Sequence, residues 1–396
     1  MNSARDDENI ADRLIGELLD ASHRMPPTDV PSAVAHHARA IDADEVVVYL
    51  QDYGQSFLIP LDSSEGRWQP LSIDGTLAGR AYRTSEATET ERDGGGVRLF
   101  LPLLDGADRL GVLMMTVPAV DDRLRARASR FAAVVTDMIV SKALHTDAFF
   151  TARRTSPMTL SAEMQWHLLP PLTVRTPRVE LAGILEPAYD VGGDAFDYAV
   201  NGDMTHVAIF DAMGHDLEAS MMANLVVSAY RHARRRGVDL EEMYATLDQA
   251  VESQFTAEQF ATVLLGQLRL DTGELRWVNA GHPPPMLLRG HSFVRLLDSV
   301  VTLPVGFGGD SPTVATEALE PGDRVVFYTD GVIEERLDGV EFGTQRLIGT
   351  LSEHFANRLP VAEVARRVSH DLLRQRGGET SDDATLVILE WIGRTD

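Results

Sequence analysis

The sequence predicts an α+β protein: an N-terminal α/β domain, a helical linker, and a C-terminal domain of antiparallel sheets flanked by helices. Three observations lead there. Stretches that read as strands follow one another in runs while helices come in pairs, which is not the strict alternation of a doubly wound fold. A length of 396 residues suits two or three domains, and 44% apolar residues are enough to give each a core. Two proline pairs, Pro26-Pro27 and Pro170-Pro171, cut helical patterns short.

Residues 1–145 form the first predicted domain. Ile10, Leu14 and Leu18 recur at helical spacing over 10–19, and 34–41 reads as a second helix. Short strands are predicted at 45–50 (EVVVYL), 56–60, 96–101 and 110–117 (LGVLMMTV). Turn residues around Gly54, Gly94-Gly95 and Asp105-Gly106 separate them. A long helix at 121–144 carries Phe131, Val134, Val135, Met138 and Ile139 on one face. The order of helix, VVVYL strand, SIDGTLAGRAYRT segment (72–84), LPL strand and GVLMM strand resembles a GAF domain. That resemblance implies a sensor or spacer module that binds a small ligand. No residue identifies the ligand.

Residues 146–172 are the predicted linker. Ser156-Pro157 is a helix-start signal, Leu160, Met164 and Leu168 recur every four residues, and Pro170-Pro171 ends the helix. The helices on either side of this linker could pair with a second copy, so a homodimer is expected.

Residues 173–396 form the second predicted domain. Strands are expected at 179–185, 206–210, 261–270, 275–280, 286–289, 324–329 and 384–391, and helices at 216–235, 239–254, 343–355 and 360–376.

Composition excludes several function classes. With no cysteine there is no disulfide scaffold, thiolate zinc site or cysteine nucleophile. The first residues, MNSARDDENIADRL, are acidic and polar, unlike a signal peptide, and no uncharged apolar stretch is long enough to span a membrane. A cytoplasmic protein without membrane attachment is the expectation. The net charge of −24, from 36 basic and 60 acidic residues, disfavours nucleic acid as a partner. The basic run from Arg231 to Arg236 follows an apolar helical stretch, so it reads as a helix C-terminus.

Four aspartates in separate acidic segments each close or adjoin an apolar run: Asp194 in VGGDAFDY, Asp211 in AIFDAMGHD, Asp330 in VVFYTDGVIE and Asp382 in TSDDATLVIL. One aspartate at a strand end is most often a turn or cap residue. Four gathered in one place would repel each other unless a cation lay between them, and an all-oxygen donor set suits Mg²⁺ or Mn²⁺. The pattern points to a carboxylate metal centre that activates water.

The motifs LLPP (168–171), VGGDAFDY (191–198), DAMGHD (211–216), NAGHPPP (279–285), YTDGVIE (328–334) and DDATL (382–386) stand in an order that resembles the PPM metal-dependent protein serine/threonine phosphatases, in the bacterial SpoIIE/RsbU-like group. The resemblance covers roughly 160–393. It implies an αββα sandwich and two Mn²⁺ or Mg²⁺ ions. Asp211 would bridge both ions, and the Ala212 backbone carbonyl would bind one. Asp330 and Asp382 would complete that ion's shell, and Asp194 would hold the other directly or through water. Asp383 falls outside this ligand set. Hydrolysis would proceed without a covalent enzyme intermediate, and His215 or His282 is a candidate donor of a proton to the leaving oxygen. Gly192-Gly193 would allow close approach at the metal site, and Gly331 a sharp turn. Asp197 would cap or orient. Arg178 is the nearest arginine ahead of Asp194, in a context that does not match a phosphate grip. The implied partner is a phosphorylated protein, a STAS-domain anti-anti-sigma factor, with the GAF domain as regulator.

Two other readings compete. Gly192-Gly193-Asp194-Ala195-Phe196 looks like a nucleotide-cyclase GGDEF signature, but alanine stands where an acid is needed. A catalytically silent PPM-like binding module is the second, although such modules usually lose a metal ligand.

Overall fold

Short β-rich runs joined by glycine-containing turns build the N-terminal half, and each strand places every second side chain toward one of two cores. The computed structural model describes residues 16, 18, 20, 22, 25–61, 67–190, 192–214, 216–309, 311–334, 336–337, 340–341, 343–375 and 383–394. The chain divides into two compact units, Met1–Ser156 and Pro157–Asp396.

The first unit runs α1 (Val30–Ala38), β1 (Val46–Gln51), β2 (Phe57–Pro60), β3 (Leu71–Ser72), α2 (Leu77–Thr84), β4 (Thr88–Glu91), β5 (Val97–Asp105), β6 (Asp108–Val117), α3 (Asp122–Ala143) and α4 (Ala148–Ala152). Its strands form one antiparallel sheet in the order β3-β2-β1-β6-β5-β4. One face packs Val34, Leu113, Phe131, Val135 and Met138 beneath α1 and α3. The other packs Tyr49, Tyr82, Phe100 and Met114 beneath α2. The predicted helix at 10–19 lies largely outside the described residues. The helix predicted at 34–41 starts earlier, at Val30, and closes with a 3-10 turn at Arg39–Ile41. Strand β4 reads TETE and sits on the sheet edge, so it offers no apolar signal.

The second unit runs α5 (Leu160–Leu168), β7 (Thr173–Arg175), β8 (Val179–Glu186), β9 (Asp194–Asn201), β10 (Met204–Ala212), α6 (Leu217–Arg236), α7 (Leu240–Gln254), β11 (Ala261–Arg269), β12 (Glu274–Ala280), β13 (Met286–Arg289), β14 (Ser292–Leu296), β15 (Ala315–Ala318), β16 (Asp323–Tyr328), the short pair β17 (Arg336–Leu337) and β18 (Val340–Glu341), α8 (Gly343–Ala356), α9 (Val361–Gln375) and β19 (Ala384–Trp391). Two antiparallel sheets result, ordered β15-β12-β11-β10-β9 and β14-β13-β16-β19-β8-β7.

Three cores separate four layers. Phe210, Val226, Tyr230, Leu247 and Val263 lie between the first sheet and the α6–α7 pair. Phe196, Val207, Ile209, Trp277, Phe327, Val387 and Trp391 lie between the sheets. Ile184, Val326, Leu351, Val364 and Ile388 lie between the second sheet and α8–α9. Each such side chain contributes about 1.5–3 kcal/mol of apolar burial. Capping fixes the helix pair: Asp216 accepts from the amides of Glu218 and Ala219, and Asp239 from that of Glu242. Gly237 ends α6 in the left-handed region, at φ +71°.

The linker helix differs from its sequence reading. Its cap is Thr159, whose hydroxyl accepts from Ala162 N at 3.2 Å, so α5 begins after the Ser156-Pro157 signal. Leu160, expected on the apolar stripe, is 63% exposed, while Ala162, Gln165 and Leu168 are the buried face.

Candidate metal centre

The site begins with a hairpin. Gly202 takes the positive φ, +61°, that a tight primed turn needs at its first central position. Asn201 then pairs with Met204, and the register runs up to Asp194 opposite Asp211. Side chains alternate, so Asp211 shares the face of Val207 and Ile209, and Asp194 that of Phe196. Those apolar residues fill the space between the sheets. The two carboxylates therefore lie on facing rungs at the end of the inter-sheet layer, Asp194 buried and Asp211 half-buried. Thr262 of β11 opposes Asp211 on the other side.

The second sheet reaches across to this hairpin. Thr329, just beyond β16, donates its hydroxyl to Asp194 Oδ2 at 2.8 Å and accepts Thr385 N at 2.9 Å. Its own amide donates to Thr385 O at 3.0 Å. Asp383 Oδ2 accepts three consecutive amides, Gly192 at 2.8 Å, Gly193 at 2.6 Å and Asp194 at 3.3 Å. Asp330 opens a 3-10 turn, Asp330–Val332, and its carbonyl accepts Ile333 N and Glu334 N, both at 2.8 Å.

Two glycines make these approaches possible. A methyl on Gly331 would lie 1.8 Å from the Asp383 carbonyl oxygen. Gly331 lies inside this 3-10 turn without a positive φ, so what demands glycine there is the close packing. A methyl on Gly193 would lie 2.5 Å from the Ala212 carbonyl oxygen and 2.7 Å from that of Gly214. Gly193 O in turn accepts Ala212 N at 3.2 Å. The Gly193 backbone thus fits directly against the Ala212 carbonyl.

Electrostatics mark the place. The Asp194 carboxyl is held well above the usual carboxylate range, first by burial and then by the Asp211 and Asp383 carboxylates, with the Thr329 hydroxyl opposing. Crowded acids of this kind are relieved by a cation. The donors at this end of the hairpin are oxygens: the two facing carboxylates and the Ala212 carbonyl, with the Asp330 turn following Thr329. This set fits a hard divalent cation. Among the described residues no three acid or imidazole side chains already form a closed ligand group. Asp382 and His215 lie outside the described residues, so their places in the site are not part of this geometry.

His282 is buried, and its Nδ1 lies 2.7 Å from Thr262 Oγ1. Asn279 holds its backbone from both sides, donating to His282 O and accepting from His282 N, each at 2.8 Å. Burial lowers the imidazole pKa to about 3. A neutral imidazole is a far weaker acid than an imidazolium, and the bonds to Thr262 and Asn279 make His282 an anchor of the NAGHPPP turn.

Other sequence candidates find partners away from the acids. Arg178 binds Asp203 at 2.6 Å and Gly202 O at 3.1 Å, at the far end of the hairpin from Asp194. Arg231 and Arg234 both grip the buried Asp197, and Arg231 also donates to Leu168 O at 2.6 Å. The basic run thus fastens strand β9 and the end of α5. Sequence reading missed Thr329, the three-amide role of Asp383, and two contacts to the glycine turn. Gln165 Nε2 donates to Asp194 O at 2.6 Å, and Ser220 Oγ to Gly192 O at 2.5 Å. Thr329 and Asp383 sat inside recognised motifs, the only signal that pointed to them.

Comparison with known proteins agrees with this architecture. The family model described as Stage II sporulation protein E (SpoIIE) matches residues 201–392. Phosphoserine phosphatase RsbU of Bacillus subtilis (strain 168) is 22% identical over 236 residues, which cover 59% of this chain and 70% of RsbU. The solved RsbU and RsbW domains of Rv1364c from Mycobacterium tuberculosis are 27% identical with a TM-score of 0.50, covering 56% of this chain and 63% of that one, less than two thirds of its length. The SiaA-PP2C domain of Pseudomonas aeruginosa shares the fold at 21% identity and a TM-score of 0.50, over 58% of this chain and 94% of its own.

Proposed function

We propose that the C-terminal half of the chain is a SpoIIE/PPM-type phosphatase domain and that the protein hydrolyses phosphoserine or phosphothreonine on a partner protein. The observation that carries the reading is the pairing of Asp194 with Asp211 on facing rungs, beside the Ala212 carbonyl and the Asp330 turn. Asp194, Asp211, the Ala212 carbonyl, Asp330 and Asp382 would hold two Mg²⁺ or Mn²⁺ ions. Bound there, such ions supply an activated water and take up charge on the phosphoryl oxygens.

The chain's own residues set the geometry. Thr329 fixes the rotamer of Asp194 through its hydroxyl. Asp383 holds the Gly192-Gly193-Asp194 turn by its amides, so the strand starts in one place. His215 is the candidate proton donor to the leaving serine oxygen, ahead of His282, whose neutral imidazole is the weaker acid. With Arg178 committed to the hairpin turn, substrate affinity rests on protein–protein contact more than on an arginine grip.

The proposed substrate is a phosphorylated STAS-domain anti-anti-sigma factor, in keeping with the RsbU likeness. The N-terminal unit is read as a GAF-like sensor, supported by its motif order and six-stranded antiparallel sheet. No helix among the described residues is long and apolar enough to cross a membrane. The test is p-nitrophenyl phosphate hydrolysis in EDTA, then with Mn²⁺ or Mg²⁺, for the wild type and Asp211→Asn. Metal-dependent turnover that the variant loses is expected. A folded wild-type protein inactive with every metal, and inactive on a phosphoserine STAS protein, refutes the reading in favour of a silent binding module.

A further inference from the structure

The N-terminal unit holds a cavity that no part of the phosphatase chemistry uses. Its volume is about 220 Å³, below the roughly 300–1,000 Å³ of sites for drug-sized ligands. It opens between the sheet and the last two helices of the unit. Leu50 and Leu110 come from the sheet, Ile139, Val140 and Ala143 from the end of α3, and Phe149 and Phe150 from α4. Three charged residues complete the lining: Asp105 and Asp108, which flank the β5–β6 turn, and Arg153, which follows α4.

Asp108 and Arg153 attract each other but do not close an ion pair among the described residues. Asp108 is half-buried, and among the described residues it makes no ion pair. Arg153 is anchored by one edge and one face, with Nε donating to Gln51 O at 2.9 Å and the guanidinium 4.5 Å from the Tyr53 ring. An arginine has five N–H donors, so the anchored guanidinium keeps donors for a ligand carboxylate. Burial raises the Asp108 carboxyl to about 6, against the pull of Arg153 and Arg109, so this acid gains from a cationic partner.

We propose that this cavity binds a small zwitterion of the α-amino-acid class with an apolar side chain, its ammonium at Asp108, its carboxylate at Arg153 and its side chain among Ile139, Phe149 and Phe150. A molecule with only one of the two charges leaves either the acid or the guanidinium without its partner in a partly desolvated pocket, which costs affinity. The walls of the site are α3 and α4, the last helices before the unit ends at Ser156, so occupancy bears on the segment that leads out of it.

The experiment is calorimetric titration of the full chain with L-leucine and L-phenylalanine, beside phenethylamine and 3-phenylpropanoate as single-charge analogues. At least one amino acid is expected to bind, at least tenfold tighter than either analogue. Asp108→Asn is expected to weaken that binding at least tenfold while leaving the circular dichroism unchanged. Ala143→Phe, which fills the cavity with an apolar group, is expected to abolish it and to keep the melting temperature. No binding by either amino acid, an analogue that binds as tightly, or full affinity in folded Asp108→Asn or Ala143→Phe protein overturns the proposal.

Discussion

Replacing Asp383 separates its role as a hydrogen-bond acceptor from its role as a charge. In Asp383→Ala the amides of Gly192, Gly193 and Asp194, all buried, lose the oxygen they share. Each buried donor left unpaired costs about 1–3 kcal/mol. The third contact is long at 3.3 Å, so the sum is taken near the low end, about 3–5 kcal/mol. Loss of one carboxylate beside Asp194 offsets part of this, because Asp383 is among the charges that raise the Asp194 pKa. For a unit of this size each kcal/mol moves the melting temperature by about 2–4 °C, so a drop of about 10 °C is expected. Asp383→Asn keeps an acceptor oxygen in the same place and removes the charge, so its melting temperature should stay within about 3 °C of wild type. The assay is a thermal melt followed by tryptophan fluorescence, together with amide hydrogen exchange on the peptide spanning 192–194. Asp383→Ala should expose those amides and Asp383→Asn should not. Equal damage in the two variants, or unchanged exchange in Asp383→Ala, refutes the reasoning.

Thr329→Val keeps the shape but takes a donor from Asp194 and an acceptor from Thr385 N, for an expected loss of about 2–4 kcal/mol in urea unfolding. Half-activation by Mn²⁺ should also move to higher concentration, since Asp194 loses its fixed rotamer. Gly331→Ala sets a methyl 1.8 Å from a backbone oxygen that cannot swing aside, so the cost should exceed the usual 1–3 kcal/mol of overpacking. A folded variant with wild-type activity would contradict it. His282 has a folded pKa of about 3, below its unfolded value of about 6.5, so between these pH values the unfolded chain binds more protons and stability falls as pH falls. At pH 5 this one residue should account for about 2 kcal/mol of lost stability relative to neutral pH. His282→Asn should flatten that part of the urea-midpoint profile, whereas equal slopes for both proteins would show that the ring is not held neutral.

Much of this architecture is legible in the sequence because burial alternates with it. The stretches 286–289 and 384–391 were bounded as they fold, and α6 and α7 begin one residue after their capping aspartates. Strand β9 was missed although it opens on Asp194. Its residues DAFDYAVN are poor in β-branched side chains and grow more exposed toward the turn, so neither composition nor alternation marks it. The edge strands β7, β14 and β15 are short and partly exposed, with the same result. In the site, the facing pair Asp194 and Asp211 was legible because each stands at the close or edge of an apolar run. What Thr329 and Asp383 hold was not, since Asp194 and Gly193 lie 135 and 190 residues away and are chosen only when the two sheets stack.

The β9–β10 hairpin has arms of equal length, with Asp194 and Asp211 the same number of residues from the Gly202-Asp203 turn. That symmetry limits how the segment can change length. Deleting one residue from a single arm turns that arm's aspartate from the inter-sheet face toward the helix layer and leaves the other stranded. Matched deletions in both arms, or growth confined to the turn, preserve the pair. Natural variation in this hairpin should therefore come in balanced steps, and grafting it onto another scaffold requires counting both arms from the turn.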